Sequence, residues 1–230
     1  MKALRIGKTL SYFVLLILAA LISVYAFSYL NFQTTDFLKQ KSPALLASYA
    51  WRTAFYLHVA FGGLALLIGG FQFSSRIRDR YTFWHRRAGK VYVASVFISA
   101  ICGFGLAMFA EGALASKAGF ALLAIAWGGT NYKAYRAIRN GRILEHRSWM
   151  TRNYALTFAA VTLRIWLPLE LIAGMRFSDA YAIVAWLCWV PNALIAEFLV
   201  YRLKASPATA ISQKSSLATS EGLQKETANP

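Results

Sequence analysis

Apolar residues gather into six runs, at about 10–30, 50–73, 91–112, 118–137, 154–175 and 180–203, with most charged side chains in the gaps between them. An α-helix needs about 20 mainly apolar residues to cross roughly 30 Å of hydrocarbon, so each run predicts one transmembrane helix. Backbone polar groups in lipid must be paired within their own segment, which favours helices over open strands. The expected fold is all-α, a polytopic bundle of six transmembrane helices within residues 1–205. The first run follows Lys2, Arg5 and Lys8 but is longer than a signal core, and no clear small-residue cleavage site follows it, so it reads as a retained anchor. Between the first two runs, a stretch with Asp36, Lys39, Lys41 and Pro43 has room for a small turn of helix but not for a domain. The tail over 206–230 is rich in Ser, Ala, Thr, Gln and Lys and lacks aromatics. It cannot bury enough apolar surface to fold and is expected to be disordered.

Composition adds little until position is considered. A chain that is 58% hydrophobic and 15% charged fits an apolar soluble domain or a membrane protein, and the segregation into runs decides for the membrane. A net charge of +16 raises nucleic acid as a partner. The placement of the basic residues argues otherwise. Most of the 25 Lys and Arg lie in the N-terminus, the second gap, the fourth gap and the tail, and few lie in the other gaps. That asymmetry is the positive-inside signal and predicts that both termini are cytoplasmic. The expected partners are the bilayer and, at its cytoplasmic face, anionic lipid headgroups, with no nucleic acid. Cys102 and Cys188 both fall in apolar runs, which predicts small buried side chains and neither a disulfide nor a metal site.

The two basic gaps resemble each other. The first reads Arg76, Arg78, Arg80, then Trp84-His85-Arg86-Arg87, then Tyr92. The second reads Arg136, Arg139, Arg142, then His146-Arg147-Ser148-Trp149, then Tyr154. Helices two and three are therefore expected to form one hairpin and helices four and five a similar one, together a four-helix core flanked by helices one and six. Small residues recur on one face of helix two, with Ala54, His58, Gly62, Ala65, Gly69 and Gln72, and on one face of helix three, with Ser95, Ser99, Gly103 and Ala107. Such stripes let backbones approach closely and predict a packing seam rather than a ligand groove.

From about Tyr56 to Pro168 these segments carry a family resemblance. The matching residues are His58 with Gly62, Gly63 and Gly70-Phe71-Gln72, the segment Trp84 to Tyr92, and the segment His146 to Tyr154 leading to Arg164. Together they resemble the bacterial membrane-protein family named domain of unknown function 2306. The resemblance implies a multi-pass protein of the bacterial inner (cytoplasmic) membrane and no particular reaction.

All three histidines fall on the proposed core. His85 is expected just before helix three and His146 just before helix five, both near the cytoplasmic face. Two imidazoles facing across a bundle can ligate the iron of haem b. The arrangement is similar to the inner haem site of the six-helix ascorbate-reducible b-type cytochromes. Arg86 and Arg147 follow the two histidines and suit haem propionates or lipid phosphate equally well. A second, outer haem would need another pair, where only His58 and Trp127 are available. The competing reading makes His85 and His146 interfacial residues that hydrogen-bond loop backbone.

Other ionisable residues lie inside the runs. His58 and Glu170 reach similar depth and form either a proton relay or a structural hydrogen bond. Arg164 is near the midplane, where a guanidinium costs at least about 3 kcal/mol unless paired or hydrated. Glu197, close to it in depth, is the expected partner, and Pro168 and Pro191 predict kinks and free carbonyls around this buried Arg/Glu site. Phosphate loops, zinc-protease motifs, paired-Cys motifs and nucleophile elbows are all missing. Two functions stay open: a small transporter or membrane-assembly protein built on Arg164 and Glu197, and a haem b electron-transfer protein built on His85 and His146. No catalytic residue is assigned.

Overall fold

The computed structural model describes residues 2–31, 38 and 41–205, which are helical nearly throughout and include no strand. The expected turn around Asp36 and Lys39, and the tail from 206 onward, lie outside the described residues. Helix α1 (Lys2–Ser28) runs into a short 3-10 turn, Tyr29–Asn31. There follow α2 (Pro43–Ala47), α3 (Tyr49–Gln72), α4 (Ser75–Arg80), α5 (Thr82–Ala107) and α6 (Leu114–Arg139). The chain continues through α7 (Ile143–Thr157), α8 (Ala159–Ile172), α9 (Phe177–Leu187) and α10 (Val190–Lys204). Serine hydroxyls start three of these helices. Ser42 accepts from the Leu45 amide, Ser48 from Trp51 and Ser74 from Ile77, each satisfying one of the unpaired N–H groups of a first turn.

Among the described residues, five segments are long and apolar enough to cross a membrane: Leu10–Asn31, Tyr49–Gln72, Thr82–Ala107, Ile143–Ile172 and Phe177–Lys204. The protein is a helix-bundle membrane protein. Helix α6 has the length of a crossing but is more polar, with Lys117, Asn131, Lys133, Arg136 and Arg139 along it. It packs against α5, α7 and α9. The core is the set α3, α5, α6 and α7, closed by contact between α3 and α7, with α1 laid on α3 and α10 on α7. Leu10, Phe13, Ile17 and Leu21 of α1, and Leu194, Ile195 and Phe198 of α10, are exposed on the outside of the bundle, as lipid-facing residues should be.

Two expectations about helix limits need correction. Helices α5 and α7 begin well before their apolar runs, so His85 and His146 lie inside helices and not in loops. Each is the fourth residue of its helix. Hydropathy reports the part of a helix that needs hydrocarbon, whereas the helix itself extends into the polar interface. The breaks are also displaced. The fifth run is only slightly interrupted at Phe158, between α7 and α8, where the backbone stays helical and keeps its bonds to Tyr154 and Thr162, while Pro168 sits inside α8 without ending it. The sixth divides at Cys188–Trp189, just before Pro191 in the first turn of α10, where a missing N–H does no harm.

The small-residue stripes do form a seam between α3 and α5. A methyl group added to Gly62 would lie 3.1 Å from the Ser99 hydroxyl. Next to the seam, Gly69 makes room for two rings. A Cβ there would lie 2.5 Å from Tyr154 and 2.6 Å from Tyr92, both of which are buried. The Tyr92 hydroxyl donates to Asn153 Oδ1 at 2.6 Å and lies 2.9 Å from the Thr157 hydroxyl. Thr157 accepts from Trp127 Nε1 at 2.8 Å, and the Asn153 amide donates to the Trp127 carbonyl and the Thr130 hydroxyl. This network ties α5, α6 and α7 together where water cannot satisfy polar groups.

Candidate functional site

A cavity of about 920 Å³ lies between α1, α3, α5, α6, α8 and α9, with the end of α7 at its floor. It is formed at the start of α3 (Trp51, Phe55), the end of α5 (Ala107), the end of α8 (Leu171) and the start of α9 (Phe177), which places it at the end of the bundle away from the two Arg-rich connections. Its walls are mostly apolar and aromatic. Lys41 and Ala110 line its outer end, where the Lys41 ammonium, almost fully buried, is paired with Glu111 at 3.0 Å. At its inner end Trp127 and Thr157 join it to the Tyr92 and Asn153 network. The seam residues His58, Gly62, Gly103 and Ala107 also form part of its wall, so one stripe serves both packing and cavity.

Two further nitrogen groups, from Arg164 and His58, line the cavity. Arg164, on α8, donates from Nη1 to the Ala160 carbonyl at 2.8 Å, and its guanidinium carbon lies 5.2 Å from the centre of the Tyr25 ring. Among the described residues no carboxylate is ion-paired with it. Pro168 follows one turn later, also on the cavity wall, and supplies no N–H to the Arg164 carbonyl. The expected partner, Glu197, is engaged elsewhere. Both of its oxygens are held by Arg152 of α7, at 2.6 Å from Nε and 2.7 Å from Nη2. The buried Arg/Glu pair of the sequence reading is therefore replaced by a fork-to-carboxylate pair on the α7–α10 face, with Arg152 also lying over the Trp149 ring. The expectation placed Arg164 and Glu197 at one depth, but the helix of the fifth run begins as early as Ile143, and Arg152, about 18 Å nearer its start than Arg164, meets Glu197 instead.

His58 also lines the cavity, within electrostatic range of Arg164. Its Nδ1 is 2.8 Å from the Ser99 carbonyl, which can only accept, so Nδ1 carries the hydrogen. The Ser99 hydroxyl donates back to the His58 carbonyl at 2.9 Å. The Cε1–Nδ1 edge of the ring lies over Gly103, where a Cβ would come within 2.9 Å, while Nε2 stands farther off at 3.9 Å. In the neutral ring, Nε2 is then the nitrogen free to accept. The proposed His58–Glu170 pair is not formed. Glu170 does not line the cavity, is 9% exposed, and among the described residues has no hydrogen-bond partner for either oxygen.

The other two histidines are brought together at the opposite end, within electrostatic range of each other. His146 Nδ1 lies 2.9 Å from the Ala134 carbonyl and must donate to it. His85 Nδ1 is buried without a partner among the described residues. Arg147 and Arg86 are exposed beside them. Arg86, Arg87 and Lys90, with Thr82 and Phe83, border a shallow groove of about 380 Å³. The residues overlooked in the sequence are the polar ones, Asn131, Asn153, Thr157 and Lys41. Asparagines and threonines inside apolar runs were the available signal for the first three.

A sequence profile described as "Predicted membrane protein (DUF2306)" matches residues 55–200. The chain belongs to this family. No curated protein and no solved structure matches it. The DUF2306 region contains His58, His85, His146, Arg164, Glu170 and Glu197, so both histidine sites and the cavity's charged group lie within it. Helix α1 and the 3-10 turn after it lie outside that region and line the DUF2306 cavity with Ile22, Tyr25 and Tyr29.

Proposed function

We propose that this DUF2306 protein is a small transporter that takes a lipophilic ligand into the cavity and anchors its polar end at Arg164. One observation carries the reading: a guanidinium on the wall of a large apolar cavity with no carboxylate paired to it. A charge there is expensive unless it meets a partner or water, and intramembrane ionisable residues facing a cavity mark ligand pathways. The volume is in the range of small-molecule sites, roughly 300–1,000 Å³. In this reading α6 is a sixth crossing, both termini are cytoplasmic, the membrane is the bacterial inner membrane and the cavity belongs to its outer half. The groove bordered by Arg86, Arg87 and Lys90 then faces anionic headgroups at the cytoplasmic surface, with exposed Trp84 beside it at interfacial depth.

Native mass spectrometry of the protein released from lipid nanodiscs tests the proposal. The native chain should retain a small apolar adduct that is lost in Arg164→Leu and in Ala110→Trp, which fills the outer end of the cavity. A chain that carries no adduct, or the same adduct in all three forms, would reject it.

A second reading, a haem b electron-transfer protein, is supported by the pairing of His85 with His146. Their donor set suits the group. His146 has Nδ1–H fixed on a backbone carbonyl, as ligating imidazoles commonly do, and His85 presents a buried nitrogen without a partner. His85 and His146 would hold the iron and Arg86 and Arg147 the propionates, the cofactor supplying one-electron redox chemistry. Protein from haem-replete cells should then show a Soret band that vanishes in His85→Ala and His146→Ala, and colourless protein rejects this second reading.

A further inference from the structure

We infer that the ligand of the cavity carries a carboxylic acid as its polar end, held between Arg164 and His58, with its hydrocarbon body against the aromatic walls. This rests on the transporter reading above and names its ligand class. The two nitrogen groups make complementary demands. The Arg164 guanidinium is permanently charged and has five N–H donors, of which one is used on the Ala160 carbonyl. The rest call for a pair of accepting oxygens on one atom, the geometry that a guanidinium fork binds best. His58 makes the opposite demand. With Nδ1–H committed to Ser99, its Nε2 accepts and calls for an O–H.

A carboxylic acid meets both demands with a single group. Its carbonyl oxygen receives the guanidinium N–H groups and its hydroxyl donates to Nε2. Moving that proton along the hydrogen bond gives a carboxylate and an imidazolium, with no change in the net charge of the complex. An alcohol offers the O–H without the paired acceptor, and a methyl ester offers acceptors without the O–H. Gly103 is what allows the imidazole to lie flat against α5 with Nε2 away from the backbone, since a side chain there would occupy the position of the ring edge. Trp51, Phe55, Phe120 and Leu167 leave the remainder of the cavity apolar, so a small hydrophilic acid would lose its own hydration without compensation.

The experiment compares radiolabelled dodecanoic acid, dodecanol and methyl dodecanoate for retention by protein-loaded over empty nanodiscs. The native chain should retain the acid at least about tenfold better than the ester and the alcohol, since hydrogen bonds to a charged group are worth roughly 1.5–3 kcal/mol. Arg164→Leu should abolish the preference while leaving weak alcohol retention, and Arg164→Lys, which keeps the charge, should retain part of it. His58→Leu should weaken the acid and leave the ester unchanged. Equal retention of all three compounds by the native chain would overturn the carboxylic-acid assignment while leaving a lipophilic cavity. Failure to retain any of them would overturn both readings.

Discussion

At the scale of single residues, glycine positions show where the fold has no slack. Gly69 lies under the rings of Tyr92 and Tyr154, and an added methyl would stand 2.5–2.6 Å from their carbons. Neither ring has room to move, because Tyr92 is hydrogen-bonded to Asn153 and Tyr154 donates to the Leu66 carbonyl at 3.1 Å. Gly69→Ala should therefore destabilise by about 1–3 kcal/mol, the usual cost of overpacking, in denaturation of the purified protein. Gly105→Ala is the control. Nothing lies within 4 Å of its added Cβ, so it should be neutral or slightly stabilising through helix propensity. Equal losses for the two variants would mean that the Gly69 contact is relieved by movement of α3. Tyr92→Phe leaves Asn153 Oδ1 without its hydroxyl donor and should cost about 1–3 kcal/mol in the same measurement.

At the scale of helices, the charged pair is decided by depth, since Arg152 and Arg164 lie about 18 Å apart along α7 and α8 and Glu197 meets the first of them. Hydropathy locates the apolar middle of each helix and so made the bundle, the seam residues and the shared position of His85 and His146 legible in the sequence. It does not locate the true start of a helix that extends into the polar interface, so a depth counted from the ends of an apolar run is misplaced by turns. The helical segment that carries Arg164 begins at Ile143, and Arg152, about 18 Å nearer its start, is the residue that reaches Glu197. Double-mutant cycles distinguish the pairings. Arg152→Leu with Glu197→Leu should be non-additive by about 1 kcal/mol, since each single change leaves a charge without its partner. Arg164→Leu with Glu197→Leu should be additive within about 0.5 kcal/mol. Coupling in the second cycle and none in the first would restore the pairing of Arg164 with Glu197.

At the scale of the whole molecule, the position of the cavity in the membrane depends on α6. Among the described residues five segments are long and apolar enough to cross, and an odd number of crossings would put the termini on opposite sides, whereas a sixth through α6 would put them on the same side. The polar residues of α6 do not argue against it. Asn131 is buried and donates to the Val93 carbonyl, Lys133 lies over the Trp149 ring, and Arg136 and Arg139 are near the helix end, where long side chains reach the interface. At 1.5 Å per residue its 26 residues span about 39 Å, more than the hydrocarbon thickness. A polar crossing of this kind is stable when its deep polar groups are covered, and Asn131 is buried among the neighbours of α6, while the exposed Lys133, Arg136 and Arg139 lie in its last two turns. Reporter enzymes active only in the cytoplasm, fused after Gly112 and after Arg142, bracket α6. The fusion after Arg142 should be active and the one after Gly112 inactive. Matching fusions after Arg80 and after Lys41 should divide the same way, as the basic connections require. If the Gly112 and Arg142 fusions behave alike, α6 does not cross. The Arg-rich connections would then lie on opposite faces, and the cavity could not be assigned to the outer half of the bilayer.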